Sequence, residues 1–208
     1  MRRARWLGAD ARETFAETVR AIEARTAAEV VVTVRDRSAS YRHVDFGIGA
    51  ALAIVMLLVY VYYPVTFVDD LAAPSVLIAL IAGIMLGSAL DAPKRAFVSR
   101  RERHGMVVQA ALAAFVEQGI SVTRARTGIL VYVSLLENDV AVVTDVGIDV
   151  ASMGAGWTGA VTALEGCARR GATPEEFAAA LLAIGAPLAA ALPIGEDDVN
   201  ELPDEVVA

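Results

Sequence analysis

Three acids at the ends of apolar runs are the side chains in this sequence best placed to do chemistry. Glu29 opens the run EVVVTVR, while Asp145 and Asp149 bracket the segment that follows the run VAVVT at 140–144. Carboxylates are hard oxygen donors, so Glu29, Asp145 and Asp149 together could hold a divalent cation such as Ca²⁺ or Mg²⁺. The same residues also have an ordinary reading. Asp145 and Gly147 would shape a turn, Asp149 would cap the next segment, and Glu29 would be solvated. No other cofactor is expected. The sequence has no glycine-rich phosphate loop, no G-x-S-x-G elbow and no HExxH. A Ser–His–Asp arrangement would have to use His43 or His104, and both read as surface residues beside apolar segments. Cys167 falls on the apolar face of an expected helix and reads as core. As the only cysteine, it excludes an intrachain disulfide and a thiolate zinc cluster.

The elements that would position these acids come from a chain of 208 residues, 56 % of them hydrophobic, with a net charge of −7. That is too apolar for a plain soluble domain and too acidic for a nucleic-acid partner. The apolar excess sits in residues 46–63 and 71–90, neither of which holds a charge. At about 1.5 Å per residue each spans roughly 27–30 Å, the thickness of a bilayer core. The expectation is an integral membrane protein with two spans, its partners being the lipid bilayer and other membrane proteins. The start is not a signal peptide, because charges recur every few positions up to residue 26.

Nine arginines precede the first span, and Lys94, Arg95, Arg100, Arg101 and Arg103 follow the second. The link at 64–70 has no base and two acids. By the positive-inside rule both termini are cytoplasmic, as in a bacterial inner-membrane protein. The basic stretch can also meet anionic lipid head groups. Ala79, Gly83 and Gly87 recur every four residues on the second span, as do Gly49 and Ala53 on the first. Such a stripe lets the hairpin pack on itself or lets a second copy dock, giving a homo-oligomer. Neither span carries an ionisable group, which argues against a transport path.

Outside the spans, Asp10 with Glu13 suggests a capping box, and Phe15, Val19 and Ile22 share one helical face. Residues 29–35 read as a buried strand, and residues 127–135 and 140–144 as a hairpin about the turn at 137–139. Between the second span and this hairpin a helix is expected to about Gln118, with Val108, Leu112 and Phe115 inward and Gly119 as its stop. Two helices follow. One is expected over 158–170, with Val161, Leu164 and Ala168 inward. The other opens at Thr173-Pro174-Glu175-Glu176, continues through Phe177, Leu181 and Leu188, and is kinked or ended by Pro187. The tail at 195–208 has six acids and no base and is expected to be extended.

One strand lies before the spans and two after them. The spans therefore interrupt an α/β fold, a small mixed sheet with helices on both faces in three layers. Residues 1–43 form its first part, 44–91 the transmembrane hairpin, 92–194 the second part and 195–208 the acidic tail.

The strings AIEARTAAEVVV at 21–32, RARTGILV at 124–131, DVGI at 145–148 and NELPDEVV at 200–207, in that order, resemble the TPM domain family. The inserted hairpin resembles a bacterial branch of it. The resemblance implies the α/β fold. Its plant thylakoid members are associated with photosystem repair and phosphatase activity. The function expected here is a membrane-anchored accessory or interaction module without catalysis. The alternative is a metal-assisted, phosphatase-like hydrolase.

Overall fold

The computed structural model describes residues 2–62 and 71–195. The chain runs α1 (Arg2–Leu7), α2 (Ala9–Glu23), β1 (Glu29–Arg35), α3 (Arg42–Tyr62), α4 (Ala72–Ala89), α5 (Asp91–Phe97) and α6 (Arg100–Glu117). It continues through β2 (Gly128–Ser134), β3 (Asp139–Thr144), α7 (Gly154–Arg170), α8 (Pro174–Leu182) and α9 (Gly185–Ala191). The tail beyond residue 195 lies outside the described residues. The chain divides into two compact units, residues 1–38 with 104–208, and residues 39–103.

In the first unit the strand order is β1-β2-β3. Strand β1 is parallel to β2, from Glu29 opposite Gly128 to Arg35 opposite Ser134, and β2 is antiparallel to β3. β-branched side chains stiffen β1, which is buried from Glu29 to Val34. Burial on both faces follows from the alternation of side chains along a strand. Val30, Val32, Ile129 and Val131 join Phe15, Ile22, Leu164, Phe177 and Leu181 in one cluster. Val31, Leu130 and Tyr132 join Val107, Ala111, Phe115 and Ile120 in another. Helix α1, absent from the sequence reading, adds Trp6 against Phe15 and Phe177, with ring centroids 5.7 and 5.4 Å away.

Two helix details differ from expectation. Helix α2 begins at Ala9 after an N-cap Gly8 that makes no side-chain bond, so Asp10 lies inside the helix and caps nothing. Helix α6 buries Val107, Ala111, Ala114 and Phe115, whereas Leu112 is exposed. Small alanines let that face approach the sheet, and Leu112 is rotated away. Gly119 ends the region in a left-handed conformation at φ +70°. In α8, Thr173 and Glu176 form the expected reciprocal capping box. Helix α7 buries Leu164 and Ala168 as expected, and Trp157 and Ala160 too.

In the second unit α3 packs on α4. A Cβ on Gly83 would lie 2.6 Å from the Gly49 Cα, and one on Gly87 would lie 3.0 Å from the Asp45 Cα. Gly83 and Gly87 are thus buried against α3 of the same chain. Lys94 of α5 is buried as well. Its Nζ donates to the Ser88 carbonyl at 2.8 Å and lies 3.8 Å from Asp45 Oδ1.

Among the described residues, three helical stretches are long and apolar enough to cross a membrane: Arg42–Tyr62, Ala72–Ala89 and Pro174–Ala191. The third was not expected from the sequence. It is interrupted at Ala183 and Ile184, with Pro187 in the first turn of α9.

Candidate functional site

The acids Glu29 and Asp145 stand at one end of the sheet. Glu29 is opposite Gly128, and just past β3 the Asp145 amide donates to the Gly128 carbonyl at 2.9 Å. With strands about 4.8 Å apart, the Glu29 and Asp145 backbones are separated by roughly 10 Å, with Gly128 between them. In-register residues of neighbouring strands share a face, so both side chains flank the empty place over Gly128. That place is filled by backbone: a Cβ on Gly128 would lie 2.5 Å from the Ile120 carbonyl oxygen.

Asp145 is buried and its charge is met locally. Arg126 Nε donates to Oδ1 at 3.1 Å and lies 3.0 Å from Oδ2, and the Val146 amide donates to Oδ1 at 2.7 Å. Arg126 holds a left-handed backbone at φ +58°, which costs about 1–2 kcal/mol for a residue with a Cβ. The Gly147 amide fastens it by donating to the Arg126 carbonyl at 2.9 Å. Gly147 itself lies against the Ala125 and Arg126 carbonyls, where any side chain would collide.

Asp149 is exposed, and its Oδ1 accepts from the Ala151 amide at 3.1 Å. Glu29 is buried at the edge of a cleft of about 250 Å³ shared with Arg20, Glu23 and Thr26. Among the described residues no group of three or more His, Cys, Asp or Glu side chains is placed to hold a metal ion. Asp145 thus lies with Arg126, Asp149 in its own turn and Glu29 at the cleft.

Sequence reasoning missed two polar arrangements. Arg126 is one; its nearness in sequence to Gly128, opposite the end of β3, was the available signal. The second lies at the other end of the sheet. His104 Nδ1 is 2.7 Å from Asp139 Oδ2, joining α6 to the start of β3. There the Ser134 hydroxyl donates to the Glu137 carboxylate, which also accepts from the Ser38 amide at 3.2 Å. Cys167 is buried in the core.

No family model matches the chain, and no curated protein matches it. Among solved structures it is similar to the NMR structure of the BA42 protein from the psychrophilic bacterium Bizionia argentinensis. The two are 15 % identical with a TM-score of 0.56, over 97 % of this chain and 94 % of that one. At that identity the likeness is one of fold alone: mixed α/β, mostly helical, around a three-stranded mixed sheet.

Proposed function

We propose that this protein is a membrane-anchored accessory module that works by holding membrane-protein partners rather than by catalysis. The observation that carries the reading is the bare apolar surface of α3 and α4. Only 11 % of the most apolar stretch of each helix is buried, against 39 % for Pro174–Ala191. Ile54, Val55 and Val61 on α3 and Ile78, Ile81 and Met85 on α4 are all at least half exposed. Apolar surface on that scale marks contact with lipid or protein. The third stretch instead supplies Phe177, Leu181, Ile184 and Leu188 to the core. Two spans, 44–91 as an inserted hairpin and both termini on the basic, cytoplasmic side follow from this reading.

The sheet with its two hydrophobic clusters is read as three layers, with α2, α7 and α8 on one face and α6 on the other. A relationship to the TPM domain is favoured by the places of three of its strings. Residues 21–32, 124–131 and 145–148 supply the start of β1, the start of β2 and the turn that follows β3, which meet at one end of the sheet.

The metal-assisted hydrolase would need one ion shared by Glu29, Asp145 and Asp149. That reading is disfavoured by Arg126, whose guanidinium already meets the Asp145 carboxylate. The test is thermal. A cation that bound only the folded chain would stabilise it by about 2.7 kcal/mol at a hundredfold excess over its dissociation constant. Millimolar Ca²⁺ or Mg²⁺ is expected to leave the melting temperature of the detergent-solubilised protein nearly unchanged, in wild type and in Asp145→Asn alike. A rise of several degrees that disappears in Asp145→Asn would favour the hydrolase.

A further inference from the structure

A groove of about 430 Å³ opens in the second unit between α3 and α5, lined by His43, Gly47, Ile48, Ala51, Leu52 and Phe97. Its walls are fixed. Lys94 ties α5 to the Ser88 carbonyl at the end of α4 and lies beside Asp45 of α3. The Arg103 guanidinium donates to the Arg95 carbonyl and, at 2.9 Å, to the Val98 carbonyl, closing the C-terminal turn of α5. Val98 is buried, yet Phe97 beside it is 76 % exposed. The ring is thus held out from a pinned helix end and walls the groove. The floor is open as well, since a Cβ on Gly47 would meet nothing within 4 Å.

Three bases lie close in sequence to residues that line the groove. Arg42 precedes His43, and Arg100 and Arg101 follow Phe97 by three and four residues; all three arginines are exposed. If α3 is a span, the groove starts in its first turn and runs about 14 Å along it to Leu52, from the head-group level into the hydrocarbon. An apolar slot with guanidiniums at its polar end matches an amphiphile with an acyl chain and a phosphate, because arginine binds phosphate oxygens through paired donors.

We infer that the groove between α3 and α5 holds an acyl chain of an anionic phospholipid from the cytoplasmic leaflet, with its phosphate on Arg42, Arg100 and Arg101. The inference rests on the reading of α3 and α4 as membrane spans and adds to it a defined lipid site. A phospholipid so placed ties α5 to the bilayer and leaves the remaining faces of α3 and α4 for ordinary solvating lipid.

The test uses the full chain in phosphatidylcholine nanodiscs doped with phosphatidylglycerol or phosphatidylcholine carrying a photoreactive acyl chain, the cross-links being mapped by mass spectrometry. The anionic probe is expected to label residues 47–52 and Phe97 several-fold more than the other lipid-facing positions, and several-fold more than the zwitterionic probe does. Gly47→Phe, which fills the slot, removes that peak while the melting temperature is kept. Arg100→Gln with Arg101→Gln keeps labelling in the slot and loses the preference for the anionic probe. Even labelling along α3 and α4, equal labelling by both probes in wild type, or a peak that survives Gly47→Phe overturns the site. A chain stripped from native membranes by alkaline carbonate overturns the spans and the site together. A chain that resists stripping and labels evenly overturns the site alone.

Discussion

Asp145 is buried at the end of β3, and a buried carboxylate must be met by donors. Arg126 and the Val146 amide do this, and the left-handed backbone of Arg126 aims its side chain back at the turn. Arg126→Ala leaves the carboxylate with one backbone donor. Hydrogen bonds to charged groups contribute about 1.5–3 kcal/mol, so the variant should lose stability of that order in chemical denaturation of the solubilised protein. A loss within the usual few tenths for a surface substitution would mean that the turn backbone alone carries Asp145. The places of Glu29 and Asp145 were legible because β-branched runs mark where strands begin and end. Their partners were not. Arg126 and Asp145 lie 19 residues apart and meet only through the pairing of β2 with β3. The Ile120 carbonyl over Gly128 is likewise a product of tertiary packing.

Among the elements, legibility follows locality. The capping box of Thr173 and Glu176 and the stop at Gly119 depend on a few neighbouring residues and could be read directly. The inward face of α6 could not. Side-chain bulk pointed to Leu112, but closeness to the sheet selected Ala111 and Ala114. The small residues of α3 and α4 were readable as a close-approach stripe, and the fold uses Gly49, Gly83 and Gly87 within the chain. Gly83→Leu must push α3 and α4 apart. Overpacking of this kind costs about 1–3 kcal/mol, so its melting temperature in detergent should fall clearly. Ala50→Leu, at an exposed position of α3, should leave it near wild type. Equal falls in both variants would contradict the close approach of the two helices.

Across the whole molecule, the chain leaves the sheet after β1 and returns for β2, which pairs with β1 in parallel. That β1 shares a sheet with the later hairpin was legible, because a lone buried strand before the apolar segments needed partners and the other strand patterns came after them; which hairpin strand it pairs with was not. The division of the chain at residues 39 and 103 was less so, because α5 and the segment before α3 join the apolar helices rather than the sheet. Replacing residues 44–91 by a flexible linker should leave a folded α/β domain, since β1 needs only nearness to the later strands. Hydrogen exchange should then show Glu29–Arg35 protected; exchange at the rate of a disordered chain would contradict the shared sheet.

In the proposed reading α3 and α4 carry the chain across a bilayer and back. It is tested most directly by a reporter enzyme that is active only in the periplasm, fused after Ala208 or inserted within residues 64–70. The C-terminal fusion is expected to be silent and the insertion active. Strong activity at the C-terminus, or silence at both positions with the protein present, would contradict it.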